Sequence, residues 1–323
     1  MRYIVTGSNG FIGQSTCRRL TELGHDVIGI DDLSSGTPPY GVKGVRYHAH
    51  SVVDADWFVR LLKSTNPDAV LHLAAKPRVP YSVLNPFCSA EANVMGTLSV
   101  LNAILKSGLA ERTRMVFASS SAVCGEASVL PTPEVCPSNP QSPYALAKLH
   151  GEQWCDLFHR LYGLDAVSLR YFNVFGPGAL FGGAYSTVLS AWPYALFVDP
   201  SYQAFLEGDG TQTRDFCFID NVVDANIAAA TRERGFAADV LNVGQGEAHS
   251  MLEVKDVLEQ VAGRELRLER RPPRAGDVAH TLADISRARQ ELGFEPSTDF
   301  YTQVEQTAEW HRDSYPVRTS ESS

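Results

Sequence analysis

Three glycines spaced three apart follow the first apolar segment of the chain, and they constrain the fold more than any other feature. In "VTGSNGFIG", Gly7, Gly10 and Gly13 stand between a predicted strand, "RYIVTG", and a predicted helix that begins at Phe11 and stops at Gly24. Glycines let the backbone turn tightly and let a pyrophosphate approach the free amides at the start of the helix. The spacing therefore predicts a strand–turn–helix unit that binds a dinucleotide.

Short apolar segments alternate with helical patterns through the first half of the chain. The later strands are predicted at "DVIGID", "VRYHAH", "AVLHLAA" and "RMVFASSS", with helices at "DADWFVRLLKS" and "EANVMGTLSVLNAILKSG" between them. Continuously apolar strands that alternate with helices form a parallel sheet covered on both faces. We predict an α/β fold, a Rossmann-type doubly wound parallel sheet.

The composition changes after about Phe175, where "GPGALFGGAYS" indicates loops over the carboxyl edge of the sheet. Later segments, among them "MLEVKDVLEQVAG" and "DFYTQVEQTAEWHRD", predict a smaller α/β region. We expect residues 1–175 to form the dinucleotide-binding domain, with a later contribution from about 212–245. Residues 176–323 would mainly form the second, substrate-binding domain.

Charge and cysteine usage narrow the classes of function. A net charge of −9 disfavours nucleic-acid binding, which requires basic surfaces. No apolar run has the length of a membrane span, and the start "MRYIVTG" leaves no room for a signal peptide. Six scattered cysteines without a CxxC pair predict reduced, mostly buried thiols, no metal site and a cytoplasmic location.

An aspartate at the end of the second predicted strand indicates which dinucleotide binds. Asp31 is placed to accept hydrogen bonds from the adenosine ribose hydroxyls, and its carboxylate would repel a 2′-phosphate. The prediction is NAD in preference to NADP.

A tyrosine and a lysine share one face of the helix predicted to follow "SPYALAK". Ser142 and Pro143 suit its cap and first turn, and Tyr144 and Lys148 stand at i and i+4. An ammonium beside a phenol favours the phenolate, and a bound nicotinamide cation would add to this. We therefore expect Tyr144 to be a general base.

The order TGxxGxxG, SSxxV and YxxxK resembles the extended short-chain dehydrogenase/reductase family, in particular its nucleotide-sugar epimerases and dehydratases. The segments "LRYFNVFGPG", "GDGTQTRDFCFIDNVVDA" and "RAGDVAHTLADISRARQELGF" resemble that family's substrate-binding segments. The resemblance implies a UDP-sugar substrate, and roles for individual residues. The catalytic residues would be Ser120, Tyr144 and Lys148. The NAD-binding residues would be Gly7, Gly10, Phe11, Ile12, Gly13, Asp31, Asp32, Ala74, Asn93, Tyr144, Lys148 and Tyr171. The substrate-binding residues would be Ser121, Asn173, Arg214, Arg274, Asp277 and Thr281.

Two positions depart from the family pattern. Cys124 stands where the family usually has tyrosine, and we expect it to be a small buried hydrophobe. Ser51 stands near the end of the third strand, where the family often has an acid that meets the adenine amine.

The resemblance also bears on the reaction. Dehydratases of the family carry an Asp-Glu pair directly after the catalytic serine or threonine, whereas this chain has Ser121 and Ala122. The expected reaction is therefore 4-epimerisation through a transient 4-keto sugar. A dehydratase that takes its acid from elsewhere, such as Glu126, is an alternative, and a non-catalytic NAD-binding protein is a distant one.

The sugar is indicated by Thr281, which occupies a position where glucose-restricted relatives have a bulky tyrosine. A threonine leaves room for an acetamido group, so we expect UDP-N-acetylglucosamine and UDP-N-acetylgalactosamine, with plain UDP-glucose and UDP-galactose also permitted. UDP-glucuronate 4-epimerases can carry threonine there as well, and Arg78 is the nearby candidate partner for a carboxylate.

Helices around Glu91–Lys106 and Tyr144–Tyr162 resemble a dimer interface of relatives, so a homodimer is expected.

Overall fold

A seven-stranded parallel sheet lies at the centre of the computed structural model, which describes residues 1–34, 41–182, 187–272 and 278–314. The strands, in chain order, are β1 (Arg2–Thr6), β2 (Asp26–Asp31), β3 (Arg46–Ala49), β4 (Ala69–His72), β5 (Arg114–Ser120), β6 (Ala166–Tyr171), β7 (Val174–Phe175), β8 (Ala204–Glu207), β9 (Thr213–Arg214), β10 (Cys217–Phe218), β11 (Ala237–Val243), β12 (His249–Ser250) and β13 (Leu268–Arg271). The sheet has the order β11-β6-β5-β4-β1-β2-β3. The predicted doubly wound sheet is therefore confirmed.

Helices cover both faces of this sheet. In chain order, the α-helices of the described residues are α1 (Phe11–Glu22), α2 (Ala55–Thr65), α3 (Val79–Leu84), α4 (Pro86–Ala90), α5 (Gly96–Ser107), α6 (Pro143–Tyr162), α7 (Val188–Pro193), α8 (Ile219–Thr231), α9 (Met251–Ala262), α10 (Ser286–Leu292) and α11 (Phe300–Ser314). One π-helical turn at Glu91–Met95 joins α4 to α5, so the chain is helical from 86 to 107. Helices α2, α5 and α6 pack on one face, and α1 and α8 pack on the other.

The central strands are apolar on both sides because both faces are buried. Ile4 and Phe117 belong to the core beneath α2, α5 and α6, whereas Tyr3, Val5 and Val116 belong to the core on the opposite face. Successive strand residues point to opposite faces, so uninterrupted apolar runs are required here.

Helix α6, which carries the tyrosine and lysine, begins where the sequence predicts. The Ala145 backbone N–H donates to Ser142 Oγ at 3.1 Å, and Pro143 occupies the first helical position, where it loses no intrahelical bond. The helix ends at Gly163, which has a φ of 69°. This capping fixes the start of α6, so that Tyr144 and Lys148 lie in its first two turns.

The C-terminal half adds small two-stranded sheets beside the carboxyl edge of the main sheet. Strand β13 pairs with β8, β12 with β9, and β10 with β7, and α11 packs against α7 and α9. Strand β11, within segment 212–245, is a member of the main sheet. The division into domains at residue 175 stays a prediction.

The cysteines differ from expectation. Cys124 and Cys136 form a disulfide with a Cα–Cα distance of 6.3 Å, so the prediction of six reduced thiols is wrong for this pair. The Asn139 N–H donates to the Val123 carbonyl at 2.9 Å, which holds the two arms of the intervening loop side by side and brings the sulfurs together. Cys17, Cys155 and Cys217 are buried free thiols, and Cys88 is an exposed one. Cys124 is buried, as expected, but as half of a cystine.

Within the described ranges, no helix combines the length and the apolar character needed to cross a membrane. The same residues contain no cluster of three or more His, Cys, Asp or Glu side chains arranged for a metal ion.

Candidate active site

A cavity of about 1240 Å³ opens at the carboxyl ends of the central strands. Its wall includes the glycine turn after β1 at one end, Ser120 and Tyr144 in the middle, and Arg214 and Thr281 at the other end. Ligands of open parallel sheets bind at this edge, where the direction of strand order reverses. One continuous space therefore connects the predicted dinucleotide, catalytic and substrate residues.

The turn after β1 can pack this closely on itself and on the loop after β4 only because Gly7 and Gly13 have no side chains. A Cβ on Gly13 would lie 2.0 Å from the Gly7 carbonyl oxygen, and one on Gly7 would lie 2.7 Å from the Ala74 backbone nitrogen. Gly10 forms the N-cap of α1, and Phe11 and Ile12 follow it on the cavity wall. The amides at the start of α1 are thus directed at the cavity without a capping side chain, as a pyrophosphate site requires.

Asp31 links the glycine turn to the end of β2. Its Oδ2 accepts from the Asn9 N–H at 2.9 Å, and its Oδ1 accepts from the Leu33 N–H at 2.9 Å. Asp32 also lies on the cavity wall, with its Oδ1 accepting from the backbone N–H of Ser34 at 2.9 Å. A fixed carboxylate at the coenzyme end of the cavity fits the ribose of NAD.

Three more residues predicted to contact NAD either border the cavity or hold a loop that borders it. Buried Asn93 accepts from the Lys76 N–H at 2.8 Å and donates to its carbonyl at 3.2 Å, so it clamps the loop that follows β4. Ala74 lies on the cavity wall, held by its N–H to Thr6 Oγ1 at 3.2 Å. Tyr171 also borders the cavity, and its hydroxyl donates to Asn226 Oδ1 at 2.6 Å.

The three predicted catalytic side chains converge in the middle of the cavity. Ser120, at the end of β5, and Tyr144, in the first turn of α6, both border the cavity, and Ser120 Oγ accepts from the Ala122 N–H at 3.2 Å. Lys148 is 3% exposed, and its Nζ donates to the Ala118 carbonyl at 2.7 Å. The same nitrogen lies 5.8 Å from the centroid of the Tyr144 ring. A hydroxyl donor, a phenol and an ammonium therefore face one space, which suits proton transfer to or from an alcohol.

Burial dominates the pKa values of Tyr144 and Lys148 in the cavity without a cofactor. Burial raises the pKa of Tyr144 to about 12, and the Ser120 hydroxyl opposes this only in part. Burial also lowers the pKa of Lys148 to about 8. The lysine alone thus does not make Tyr144 a base near neutral pH, because the cost of desolvation exceeds the attraction. Additional positive charge at the coenzyme position is needed.

At the substrate end, the structure brings four predicted residues to the cavity wall: Ser121, Asn173, Arg214 and Thr281. The Asn173 amide donates to Thr281 Oγ1 at 3.0 Å and to the Asp215 carbonyl at 3.0 Å. Arg214 Nη1 donates to the Ala279 carbonyl at 3.1 Å. Arg274 and Asp277 lie outside the described residues.

The sequence reasoning missed Asp215, which organises this end of the cavity. Its fully buried carboxylate accepts from the backbone N–H groups of Gln245 at 2.7 Å, Ala283 at 3.0 Å and Gly246 at 3.1 Å. Burial raises its pKa to about 6, against the opposing effect of these donors. The position of Asp215 directly after Arg214 in "TRDF" could have indicated a role in the site. The hydrogen-bond donors of Asp215 are distant in the chain and cannot be read from the sequence.

Ser51, which departs from the family pattern, and the two residues relevant to the alternative reactions, Arg78 and Glu126, lie at or near the cavity. Ser51 lies on its wall, with its Oγ accepting from the Val53 N–H at 3.3 Å. Arg78 lies on the wall at the start of α3. Glu126 is not among the lining residues, and its Oε2 accepts from the Ala279 N–H at 3.0 Å.

Comparison with known proteins agrees with this geometry. The model of the NAD dependent epimerase/dehydratase family matches residues 3–244. A UDP-glucose 4-epimerase of Mycolicibacterium smegmatis is 35% identical over 97% of this chain and 99% of its own length. The structure of a UDP-N-acetylglucosamine 4-epimerase from Methanobrevibacter ruminantium, in complex with UDP-N-acetylmuramic acid, is 32% identical. Its TM-score is 0.88, with 97% of this chain and 99% of that one covered. A UDP-glucuronic acid 4-epimerase from Bacillus cereus, solved with UDP-glucuronic acid and NAD, is 28% identical with a TM-score of 0.85, covering 98% of this chain and all of the other. With the family model spanning most of its length and a relative of this identity aligned from end to end, the chain belongs to the NAD-dependent epimerase/dehydratase family.

Proposed function

We propose that the protein is an NAD-dependent 4-epimerase of UDP-sugars that acts on UDP-N-acetylglucosamine and UDP-N-acetylgalactosamine. The observation that carries the proposal is the continuous cavity, which joins the glycine turn to Ser120, Tyr144 and Lys148 and extends to Arg214 and Thr281. Plain UDP-glucose and UDP-galactose are the second pair that this cavity would accept.

In the mechanism, Tyr144 accepts the proton of the sugar 4-hydroxyl and later returns it. NAD, which the glycine turn and Asp31 would hold, would supply a hydride acceptor for carbon 4 of the sugar and a positive charge near Tyr144. Ser120, which borders the same cavity as Tyr144, would orient the same sugar hydroxyl. Lys148, buried and cationic below a pH of about 8, stabilises the phenolate of Tyr144 by charge.

Epimerisation also requires the sugar ring to turn over between the two hydride steps. The nucleotide diphosphate must then be held firmly while the ring is held loosely. Arg214 is suited to the first task because a guanidinium binds phosphate oxygens through a forked set of donors. Asp215 ties together the loops around Arg214 and so keeps that end of the cavity in place.

The residues next to Ser120 favour epimerisation over dehydration. Ser121 and Ala122, which follow it on the cavity wall, offer no carboxyl group for the removal of water. Glu126, the alternative acid, is exposed and directed at the Ala279 amide.

Thr281 supports the choice of an N-acetylated sugar. It lies on the cavity wall, and its Oγ1 accepts from both the Asn173 amide at 3.0 Å and the Asp215 N–H at 3.1 Å. The hydroxyl is thus used within the protein, and the small side chain leaves volume in the cavity for an acetamido group.

Replacing Thr281 with tyrosine should lower turnover of UDP-N-acetylglucosamine by about tenfold or more relative to UDP-glucose, since added bulk discriminates between substrates of different size. Thr281→Ser, which keeps the hydroxyl, and Thr281→Val, which removes it without adding length, are the controls. Steady-state rates on both UDP-sugars measure the ratio. An unchanged ratio in Thr281→Tyr would show that this position does not face the acetamido group.

The direct test of the proposed function follows the anomeric proton signals of UDP-N-acetylglucosamine by NMR in the presence of the protein and NAD. We expect the galacto isomer to form until equilibrium, with no 4-keto-6-deoxy product. Folded, NAD-loaded protein that produces no isomer would remove the proposal. UDP-glucuronate is the second candidate because Arg78 on the cavity wall could pair with its carboxylate, and faster turnover of that sugar would favour it.

We also propose a homodimer formed by the helices at 86–107 and 143–162. These helices pack against each other and, with α3, carry exposed apolar side chains in the single chain. Leu84 and Phe87 are each 80% exposed, Leu161 is 60% exposed and Met95 is 52% exposed. Such a concentration of large apolar groups is typical of an interaction surface.

A charge placed on this surface should prevent association. Phe87→Glu is expected to convert the dimer into a monomer, as measured by sedimentation velocity, because an unpaired carboxylate would be buried in the interface. Val129→Glu is the matched control, since Val129 is 59% exposed on a loop apart from these helices. A wild-type protein that sediments as a monomer would refute the homodimer.

The cytoplasmic location stays a prediction, and the disulfide removes two of the six cysteines that supported it.

A further inference from the structure

Beneath the proposed catalytic residues lies a buried polar network that the proposed mechanism does not use. Glu152 follows Lys148 by four residues and shares its face of α6. Its two oxygens accept from Arg170 on β6, Oε1 from Nε at 2.8 Å and Oε2 from Nη2 at 2.8 Å. The two side chains are 6% and 5% exposed. A forked ion pair so deeply buried is costly to form and is weak evidence for stability alone.

A third side chain connects this pair to the catalytic strand. Ser119 Oγ donates to Glu152 Oε1 at 2.5 Å, and Ser119 is 2% exposed. Ser119 directly precedes Ser120 on β5, and it lies opposite Arg170 in the register with β6. Successive residues of a strand point to opposite sides, so fixing Ser119 also fixes the direction of Ser120.

The end of β5 is thus fastened to α6 at two consecutive residues. The Ala118 carbonyl accepts from Lys148 Nζ at 2.7 Å, and the Ser119 hydroxyl donates to Glu152. Arg170 also connects to the loop beyond Ser120, donating through Nη1 to the Glu134 carbonyl at 2.9 Å and to Cys124 Sγ at 3.5 Å. These contacts set how far Ser120 stands from Tyr144, which is on the same helix as Glu152.

We propose that Glu152, held by Arg170, is a positioning residue that acts through Ser119 to place Ser120 against Tyr144 and the sugar hydroxyl. This inference rests on the proposed roles of Ser120 and Tyr144. It assigns the buried pair a part in the chemical step, beyond its contribution to the fold.

Ser119→Ala tests the proposal with the least disturbance, because it removes one hydrogen bond and leaves the Glu152–Arg170 pair intact. We expect kcat to fall by about tenfold, as displacement of a reacting group by a fraction of an ångström can cost this much. The KM for the UDP-sugar and the affinity for UDP alone should change by less than about twofold, since the nucleotide end of the cavity is untouched. Ser119→Thr, which retains the hydroxyl, should restore most of kcat.

Ser168→Ala is the matched control. Ser168 is a fully buried serine on β6, lies opposite Phe117 in the register and makes no bond to Glu152. It should leave both kcat and KM unchanged. Glu152→Gln is the second variant, and it should lower kcat at least as much as Ser119→Ala, because it weakens the contacts with both Ser119 and Arg170.

The outcomes separate the two proposals when Tyr144→Phe is measured in parallel. If Tyr144→Phe is inactive and Ser119→Ala has wild-type kcat, the positioning role is refuted and the proposed function stands. If Tyr144→Phe is fully active, the assignment of the catalytic residues fails first. A fall in kcat with an equal rise in KM, or no recovery in Ser119→Thr, would also overturn the positioning role.

Discussion

Replacing Tyr144 with phenylalanine should lower the epimerase kcat by about two to four orders of magnitude, the range that general acid–base catalysis contributes. The substitution removes one oxygen and keeps the ring that packs at the start of α6. The lost group is the only one in the proposed mechanism that exchanges a proton with the sugar hydroxyl. NAD binding and the melting temperature should remain near the wild-type values, and steady-state rates with NMR detection measure the effect.

Tyr162→Phe is the matched control for this prediction. Tyr162 is the last residue of the same helix and is 44% exposed, far along α6 from the cavity. It should retain full activity. Turnover of Tyr144→Phe within a few-fold of wild type would contradict the assignment of the general base.

Replacing Gly13 with alanine should strongly weaken NAD binding. The new Cβ would lie 2.0 Å from the Gly7 carbonyl oxygen, which is backbone and can move away only if the turn opens. Overpacking of this kind costs about 1–3 kcal/mol. If the turn opens to relieve the overlap, NAD can bind only after the turn is closed again. Closing it costs the same energy, which corresponds to a loss of about tenfold to a hundredfold in cofactor affinity. Titration of NAD followed by calorimetry gives the affinity.

Gly10→Ala is the comparison for Gly13→Ala. Its Cβ would meet only the Gly7 carbonyl oxygen, at 3.3 Å. The protein without cofactor should therefore melt at the wild-type temperature in Gly10→Ala and at a lower temperature in Gly13→Ala. Equal NAD affinity in wild type and Gly13→Ala would show that this turn does not support the pyrophosphate.

Much of the fold was predictable because its signals are local. Strand–helix alternation, the glycine spacing and the Ser142–Pro143 cap each depend on a few adjacent residues, and the structure has the predicted sheet and the predicted start of α6. The approach of Ser120 to Tyr144 was predictable as well, since the carboxyl edge of the sheet collects the ends of its strands.

Other features depend on contacts between distant segments and could not be predicted. The carboxylate of Asp215 takes its donors from residues about 30 and 70 positions away, and Glu152 meets Arg170 only after α6 packs on the sheet. The raised pKa of Tyr144 reflects burial, which a sequence pattern of Tyr and Lys does not contain. The spacing of Cys124 and Cys136 is uninformative until the intervening loop folds back on itself.

The Cys124–Cys136 bond lies on the stretch of chain that runs from Ser120 to Tyr144, and Arg170 contacts both sulfurs. Adding dithiothreitol or another thiol reagent to an assay would therefore compare two covalently distinct proteins, one with this stretch cross-linked and one with it open. Preparations from reducing and oxidising expression hosts have the same amino-acid sequence, yet they differ in mass by two hydrogens within this stretch. Rates obtained from them belong to different molecular species.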